Sequence, residues 1–357
     1  MVALADRLAE ATLALCAIPS VTGHERAIAD ELERRARALP GVAVRRVGES
    51  VVAEVGPAAP APTIALFGHS DTVAPAADQP LAIRDGRVFG CGASDMKGGL
   101  AVMLELLADA DAASTTRLRC VFYDREEGPA QESGIVALLD GDGAVDRGLG
   151  LALCLEPTDN RVEAGCVGGL HARVTFVGRR AHSARPWQGD NAIYKALPLL
   201  ALLRDRPRRA VEVGGLTFYE VLSATTAATE GSRNVVPDRF ALNLNFRFAP
   251  GRDAASAIDE LRALVPAGAE VEIVDVAPAG AVRLDEPTLG AWIARNRVPV
   301  DAKQAWTDVA RLAARGVPAV NFGPGATAEA HQARESVAID ALVAHHALVR
   351  DLLLAQR

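Results

Sequence analysis

Residues 63–71 read T-I-A-L-F-G-H-S-D, a run that is apolar from Ile64 to Phe67, closes on a glycine and breaks at once into His69, Ser70 and Asp71. A continuous apolar run bounded in this way reads as a strand covered on both faces, which is how the centre of a parallel sheet is written. Two further runs have the same build: R-L-R-C-V-F-Y-D (117–124) and G-L-A-L-C-L-E-P (150–157). Between the three runs lie M-K-G-G-L-A-V-M-L-E-L-L-A-D-A (96–110) and G-I-V-A-L-L-D (134–140), both with helical spacing. Strands alternating with helices predict an α/β unit: a mostly parallel sheet flanked by helices.

Working outward, helical periodicity runs from Leu4 to Leu39 with a break between Pro19 and Gly23, where Thr22 is the expected helix cap. V-R-R-V (44–47) and S-V-V-A-E-V (50–55) alternate as strands. The pattern changes after Gly165. G-G-L-H-A-R-V-T-F-V-G (168–178), G-L-T-F-Y-E-V-L-S-A (215–224) and R-F-A-L-N-L-N-F-R-F (239–248) are long alternating strands, separated by helical stretches at 191–203 and 254–265. Such alternation fits an antiparallel sheet with helices on one face, an inserted α+β domain. From Leu289 the earlier style returns. The expected division is a catalytic domain built from residues 1–168 and 282–357, with residues 169–281 inserted between them.

At 357 residues the chain exceeds one ordinary core, and half its residues are apolar with 23% charged, a globular profile. A net charge of −7 offers no basic footprint, so no nucleic-acid partner is expected. No apolar run approaches the ~20 residues of a membrane span, and the first residues lack a signal-peptide core. The five scattered cysteines, Cys16, Cys91, Cys120, Cys154 and Cys166, read as reduced thiols in a cytoplasmic protein.

Ligands of open parallel sheets gather beyond the carboxyl ends of the strands. His69-Ser70-Asp71, Glu126-Glu127, Glu156 and, in the loop beyond V-P-A-V-N-F-G-P-G, His331 all fall at such ends; Asp95 falls near the start of the helix expected from Met96. Each alone has an ordinary structural reading, Asp95 as a helix cap among them. The adjacent Glu126 and Glu127 repel unless something cationic or hydrogen-bonding holds them. Two imidazoles and several carboxylates without a thiolate suit a hard-to-borderline divalent ion. Unpaired carboxylates crowded in a cleft would cost several kcal/mol, and two ions balance this set better than one.

H-S-D-T-V (69–73), G-C-G-A-S-D-M-K-G-G (90–99), D-R-E-E-G-P (124–129), C-L-E-P-T (154–158) and A-E-A-H (328–331), in this order, resemble the co-catalytic zinc amidohydrolases of the aminoacylase, carboxypeptidase and desuccinylase group. The resemblance covers nearly the whole chain. It implies two divalent ions, zinc first with cobalt or manganese as alternatives. Asp95 would bridge them, with His69 and Glu156 completing one site and Glu127 and His331 the other. It also implies that Asp71 orients His69, that Glu126 is the proton-transferring base, and that His182 in G-R-R-A-H-S-A-R-P donates to the carbonyl oxygen. Asn234, Arg247, Gly323 and Gly325 match positions that hold substrate, and relatives dimerise through the insert, which acts as a lid.

Within the group, W-T-D-V-A-R-L-A-A-R-G-V-P-A-V-N-F-G-P-G (306–325) is most similar to actinobacterial succinyl-diaminopimelate desuccinylases. That implies removal of succinate from N-succinyl-LL-2,6-diaminopimelate. Another N-acyl amino acid deacylase, such as an acetylornithine deacetylase or an aminoacylase, is the alternative, and a noncatalytic metal-binding scaffold is the third reading. The family's acidic pair after the final histidine appears here as Ala333-Arg334-Glu335. His345 and His346, in the last helix, are expected at the surface.

Overall fold

The computed structural model describes residues 2–57, 61–109, 111–112, 114–141 and 144–355. The chain divides into two compact units, Met1–Ala164 with Arg283–Asp301 and Arg311–Arg357, and Gly165–Val282 with Ala302–Ala310. Residues 302–310 were expected with the C-terminal catalytic segment and instead pack with the second unit. The cause is local: Val167 N donates to Lys303 O at 3.3 Å, Gln304 caps the Thr217–Tyr219 edge, and Trp306 Nε1 donates to Pro278 O at 3.1 Å.

In the first unit, four parallel strands form the middle of an eight-stranded sheet: Arg117–Tyr123, Thr63–His69, Leu151–Cys154 and Ala319–Asn321. Ser50–Val55 joins antiparallel at one side and Val162–Ala164 at the other. Thr63–His69 is buried along its whole length, as its unbroken apolar run requires. Gly98–Ala108 is apolar on every face except at Glu105 and correspondingly buried, with nine of its residues in the core. At Gly68 the helix side chains come close to the strand, so that a Cβ there would lie 2.5 Å from Leu100 Cδ2.

In the second unit, five antiparallel strands run in the order Arg209–Val213, Leu216–Thr229, Arg239–Phe248, Gly168–Val177, Glu270–Ala277. Along Arg239–Phe248 burial alternates residue by residue. Leu242, Leu244, Phe246 and Phe248 face a core with Leu199, Ala257 and Leu261 from the helices, while Asn243, Asn245 and Arg247 take the other face.

Three local expectations are corrected. The second helix, Arg26–Arg37, starts after Glu25 without a side-chain cap, and Thr22 donates instead to Asp71 Oδ2 at 2.9 Å. Asp95 is not the cap of the expected helix: that helix begins at Gly98 after Lys97, and Asp95 sits in the preceding wound turn with φ −127 and ψ 90. His345 and His346 are buried, because the Ile339–Leu354 helix turns that face inward. The His345 ring lies 4.6 Å from the Phe322 ring and its Nδ1 meets Asn160 Oδ1 at 2.8 Å. Burial pulls the His345 pKa down to about 3, so the ring is neutral.

Candidate metal centre

His69 is the last residue of its strand and pairs in register with Tyr123, so the turn holding Glu126 and Glu127 begins beside it. Its ring is buried, with Nδ1 3.1 Å from Asp71 O and 3.5 Å from Asp71 Oδ1. Its Nε2 lies 3.0 Å from Asp95 Oδ1. The other oxygen of Asp95 lies 3.6 Å from His331 Nε2, so this carboxylate turns one oxygen to each imidazole. His331, with φ +60 in the loop after Ala319–Asn321, also meets Glu127 Oε1 at 2.7 Å. Donor atoms of His69, Asp95 and Glu127 lie within 4.8 Å of one another. Glu156 is buried on the same rim, two residues past Leu151–Cys154.

Asp71 is what holds the two adjacent glutamates. Its side chain is wholly buried; Oδ1 accepts from Glu126 N at 3.0 Å and Oδ2 from Glu127 N at 3.0 Å. Burial alone would raise the Asp71 pKa, but the His69 contact and these N–H groups outweigh it and the pKa is lowered. Burial likewise opposes a charge on His69 and is outweighed by Asp71 and Asp95, leaving its pKa well above the ordinary value. At His331 the same balance favours charge, with Glu127 and Asp95 prevailing over burial. A field that favours a proton on imidazoles set among carboxylates equally favours a divalent cation there. The nitrogen-and-oxygen donor set fits such an ion, and all five cysteines are free.

Gly323 and Gly325 have an internal reason to be glycine. A Cβ on Gly323 would lie 2.3 Å from Leu155 O, and one on Gly325 would lie 2.0 Å from Ser94 O. Their turn therefore rests directly on the segments that carry Glu156 and Asp95.

The remaining sequence-derived positions lie in the second unit. His182 is exposed in the two-residue strand Ala181–His182 that pairs with Val235–Val236. Ala184 N donates to His182 Nδ1 at 3.1 Å, which leaves Nε2 as the N–H donor. Ser183 N donates to Asn234 O at 2.9 Å, so His182 and Asn234 are neighbours. Arg247 is half-buried over Gly169, where a Cβ would meet its Nη1 at 3.0 Å. Burial lowers the Arg247 pKa, with the charge of Asp275 acting against it.

Sequence reading missed Thr22, which tethers Asp71, and Glu335, which receives three backbone N–H groups of the Asp95 turn. Thr22 stood in the sequence only as a helix cap and Glu335 only as part of the motif after His331, and neither spacing points to the contact it makes. His171, given no role by the sequence, packs in the second-unit sheet with its two ring nitrogens 3.2 and 3.3 Å from Asn243 and Asn245.

A parallel α/β sheet whose strand ends assemble imidazoles and carboxylates around a shared aspartate defines a metal-dependent hydrolase. The chain belongs to peptidase family M20/M25/M40, whose sequence profile matches residues 65–355. It is 37% identical over 354 residues to the succinyl-diaminopimelate desuccinylase of Corynebacterium glutamicum, covering 96% of this chain and 95% of that one. Its fold is similar to aminopeptidase PepT of Bacillus cereus, with a TM-score of 0.79 at 19% identity over 99% and 98% of the two chains. It is also similar to the YXEP protein of Bacillus subtilis, a dinuclear metal binding peptidase, with a TM-score of 0.73 at 16% identity over 98% and 97%. Among the described residues no helix is long and apolar enough to cross a membrane.

Proposed function

We propose that this chain is a cytoplasmic, dimeric zinc amidohydrolase that releases succinate from N-succinyl-LL-2,6-diaminopimelate. The observation that carries the chemistry is the split of Asp95 between His69 and His331, 3.0 and 3.6 Å from its two oxygens. The substrate reading is supported by the 37% identity to the Corynebacterium desuccinylase across 96% of this chain.

Two divalent ions would share Asp95, one held by His69 and Glu156 and the other by Glu127 and His331, and would polarise the amide carbonyl and acidify the attacking water. Glu126 takes the proton from that water and returns it to the departing amine. Asp71 grips the N–H groups of both glutamates, fixing the direction of the base relative to its neighbour. Asp71 also faces Nδ1, with its backbone O at 3.1 Å and Oδ1 at 3.5 Å, which fixes the His69 tautomer and leaves the Nε2 lone pair for a cation. His182, donating through Nε2–H, stabilises the negative charge that develops on the carbonyl oxygen. Asn234 holds the substrate beside His182, and the Arg247 guanidinium matches one substrate carboxylate bidentately.

The second unit serves as the lid and the dimer surface, consistent with Trp187, Tyr194 and Leu197 standing 75%, 68% and 56% exposed there. Cytoplasmic residence fits five free thiols. The test is hydrolysis of N-succinyl-LL-2,6-diaminopimelate beside N-acetylornithine, with chelated and zinc-loaded protein. Zinc-dependent cleavage of the succinyl compound alone supports the proposal; preferential cleavage of N-acetylornithine replaces it with the deacetylase reading.

A further inference from the structure

We infer that Glu335 is the positioning residue that sets Asp95 between the two cation sites; the inference rests on the metal-centre reading above. Asp95 is not held by regular structure. It lies in the wound turn Ala93–Lys97, entered through Gly92 at φ +79 and left before the Gly98–Ala108 helix begins. Three successive features of that turn point one way. Gly92 N donates to Glu335 Oε2 at 2.9 Å, while Ser94 N and Asp95 N both donate to Oε1 at 2.9 Å.

The Glu335 side chain is buried, and among the described residues no lysine, arginine or histidine forms an ion pair with it. The charge of Glu335 reaches Lys97 and His331, but its hydrogen bonds run to backbone N–H groups of the Asp95 turn, which makes the carboxylate a shaped cradle for that turn as well as a counter-charge. The backbone is stapled as well: Gly90 N donates to Glu335 O at 3.1 Å, and Ser336 pairs with Phe89 in the next ladder. Glu335 stands four residues after His331. One short segment thus delivers an imidazole and, through Glu335, fixes the aspartate that faces it. Of Ala333-Arg334-Glu335, the first two are exposed and only Glu335 turns inward.

The acceptor pattern separates three variants. Glu335→Gln keeps one oxygen for Ser94 and Asp95 but points an amide NH2 at Gly92 N–H; Glu335→Ala removes all three acceptors; Glu335→Asp falls short of the turn. Metal binding is read without substrate, by competitive titration of full-length protein with zinc, and by the visible absorption of the cobalt-loaded form. Relative to wild type, affinity for the weaker-bound ion should fall about 10-fold in Glu335→Gln and about 100-fold in Glu335→Ala, with an altered cobalt spectrum in both. A purely structural role would lower thermal stability and leave the cobalt spectrum and both affinities of the folded fraction unchanged, and that result overturns the inference. Should Glu335→Ala not fold, Glu335→Gln decides alone. Wild-type protein that binds two ions without cleaving the succinyl substrate would remove the proposed activity and leave this inference standing.

Discussion

Replacing Asp71 with asparagine converts one carboxylate oxygen into an amide nitrogen and leaves the shape of the side chain nearly unchanged. In the native fold the two oxygens accept from Glu126 N, Glu127 N and Thr22 Oγ1 at 3.0, 3.0 and 2.9 Å in a site without solvent exposure. An asparagine has one oxygen, so in either orientation one of the two glutamate N–H groups faces an NH2. An orphaned buried N–H costs about 1–3 kcal/mol, and the remaining bonds lose roughly half their strength when the acceptor loses its charge, about another 1 kcal/mol. The total, about 2–4 kcal/mol, falls on the turn that aims Glu126 and Glu127. Metal affinity should drop about 10–100-fold, which accounts for about 1.4–2.8 kcal/mol of it, and the remainder should lower the apo protein's Tm by a few degrees. Competitive chelator titration and thermal unfolding measure the two contributions. The sign with pH is also set: because the Asp71 pKa is lowered in the fold, its contribution is present above the ordinary aspartate range and lost as pH falls through the folded value. An Asp71→Asn variant with wild-type metal affinity and wild-type Tm would refute the reasoning.

Further outcomes follow from other regions of the molecule. Glu126→Gln should keep both ions, measured by elemental analysis, while kcat falls about 10²–10⁴-fold, the usual worth of a positioned base. Arg247→Ala should raise KM for the succinyl substrate about 10–100-fold with metal content unchanged, since a charge-assisted carboxylate contact is worth about 1.5–3 kcal/mol. His345 is neutral in the fold with its pKa held near about 3, so the unfolded chain takes up a proton first as pH drops. The stability this represents is intact above pH 6.5, the ordinary value, and declines toward pH 3 by about 1.4 kcal/mol per pH unit. Urea unfolding of His345→Gln between pH 7 and pH 4.5 should therefore show a slope shallower by one proton, and an unchanged slope would count against the neutral assignment.

The elements of the fold visible in the sequence were those with strong periodicity. Thr63–His69 could be read because a strand buried on both faces has little choice but Ile, Ala, Leu and Phe, and Arg239–Phe248 because its alternation separates two faces so cleanly. The strand ends then put His69, Glu127, Glu156 and His331 on one rim without further information. What escaped were contacts made across long stretches of chain. Thr22 and Asp71 are 49 residues apart, and Glu335 and Asp95 are 240 apart, so neither pairing leaves a local spacing to read. The last helix misled for a different reason: a histidine pair looks polar, yet His345 is neutral and stacks as an aromatic ring. Residues 302–310 followed their hydrogen bonds rather than their place in the chain order.

The central claim is a pair of divalent ions sharing Asp95. A crystal structure of the zinc-loaded protein, with anomalous scattering measured on both sides of the zinc edge, addresses it without reference to any substrate. Two peaks, one against His69 and Glu156 and the other against Glu127 and His331, with one Asp95 oxygen on each, are predicted. A single peak, or two peaks that leave Asp95 on only one of them, would contradict the account.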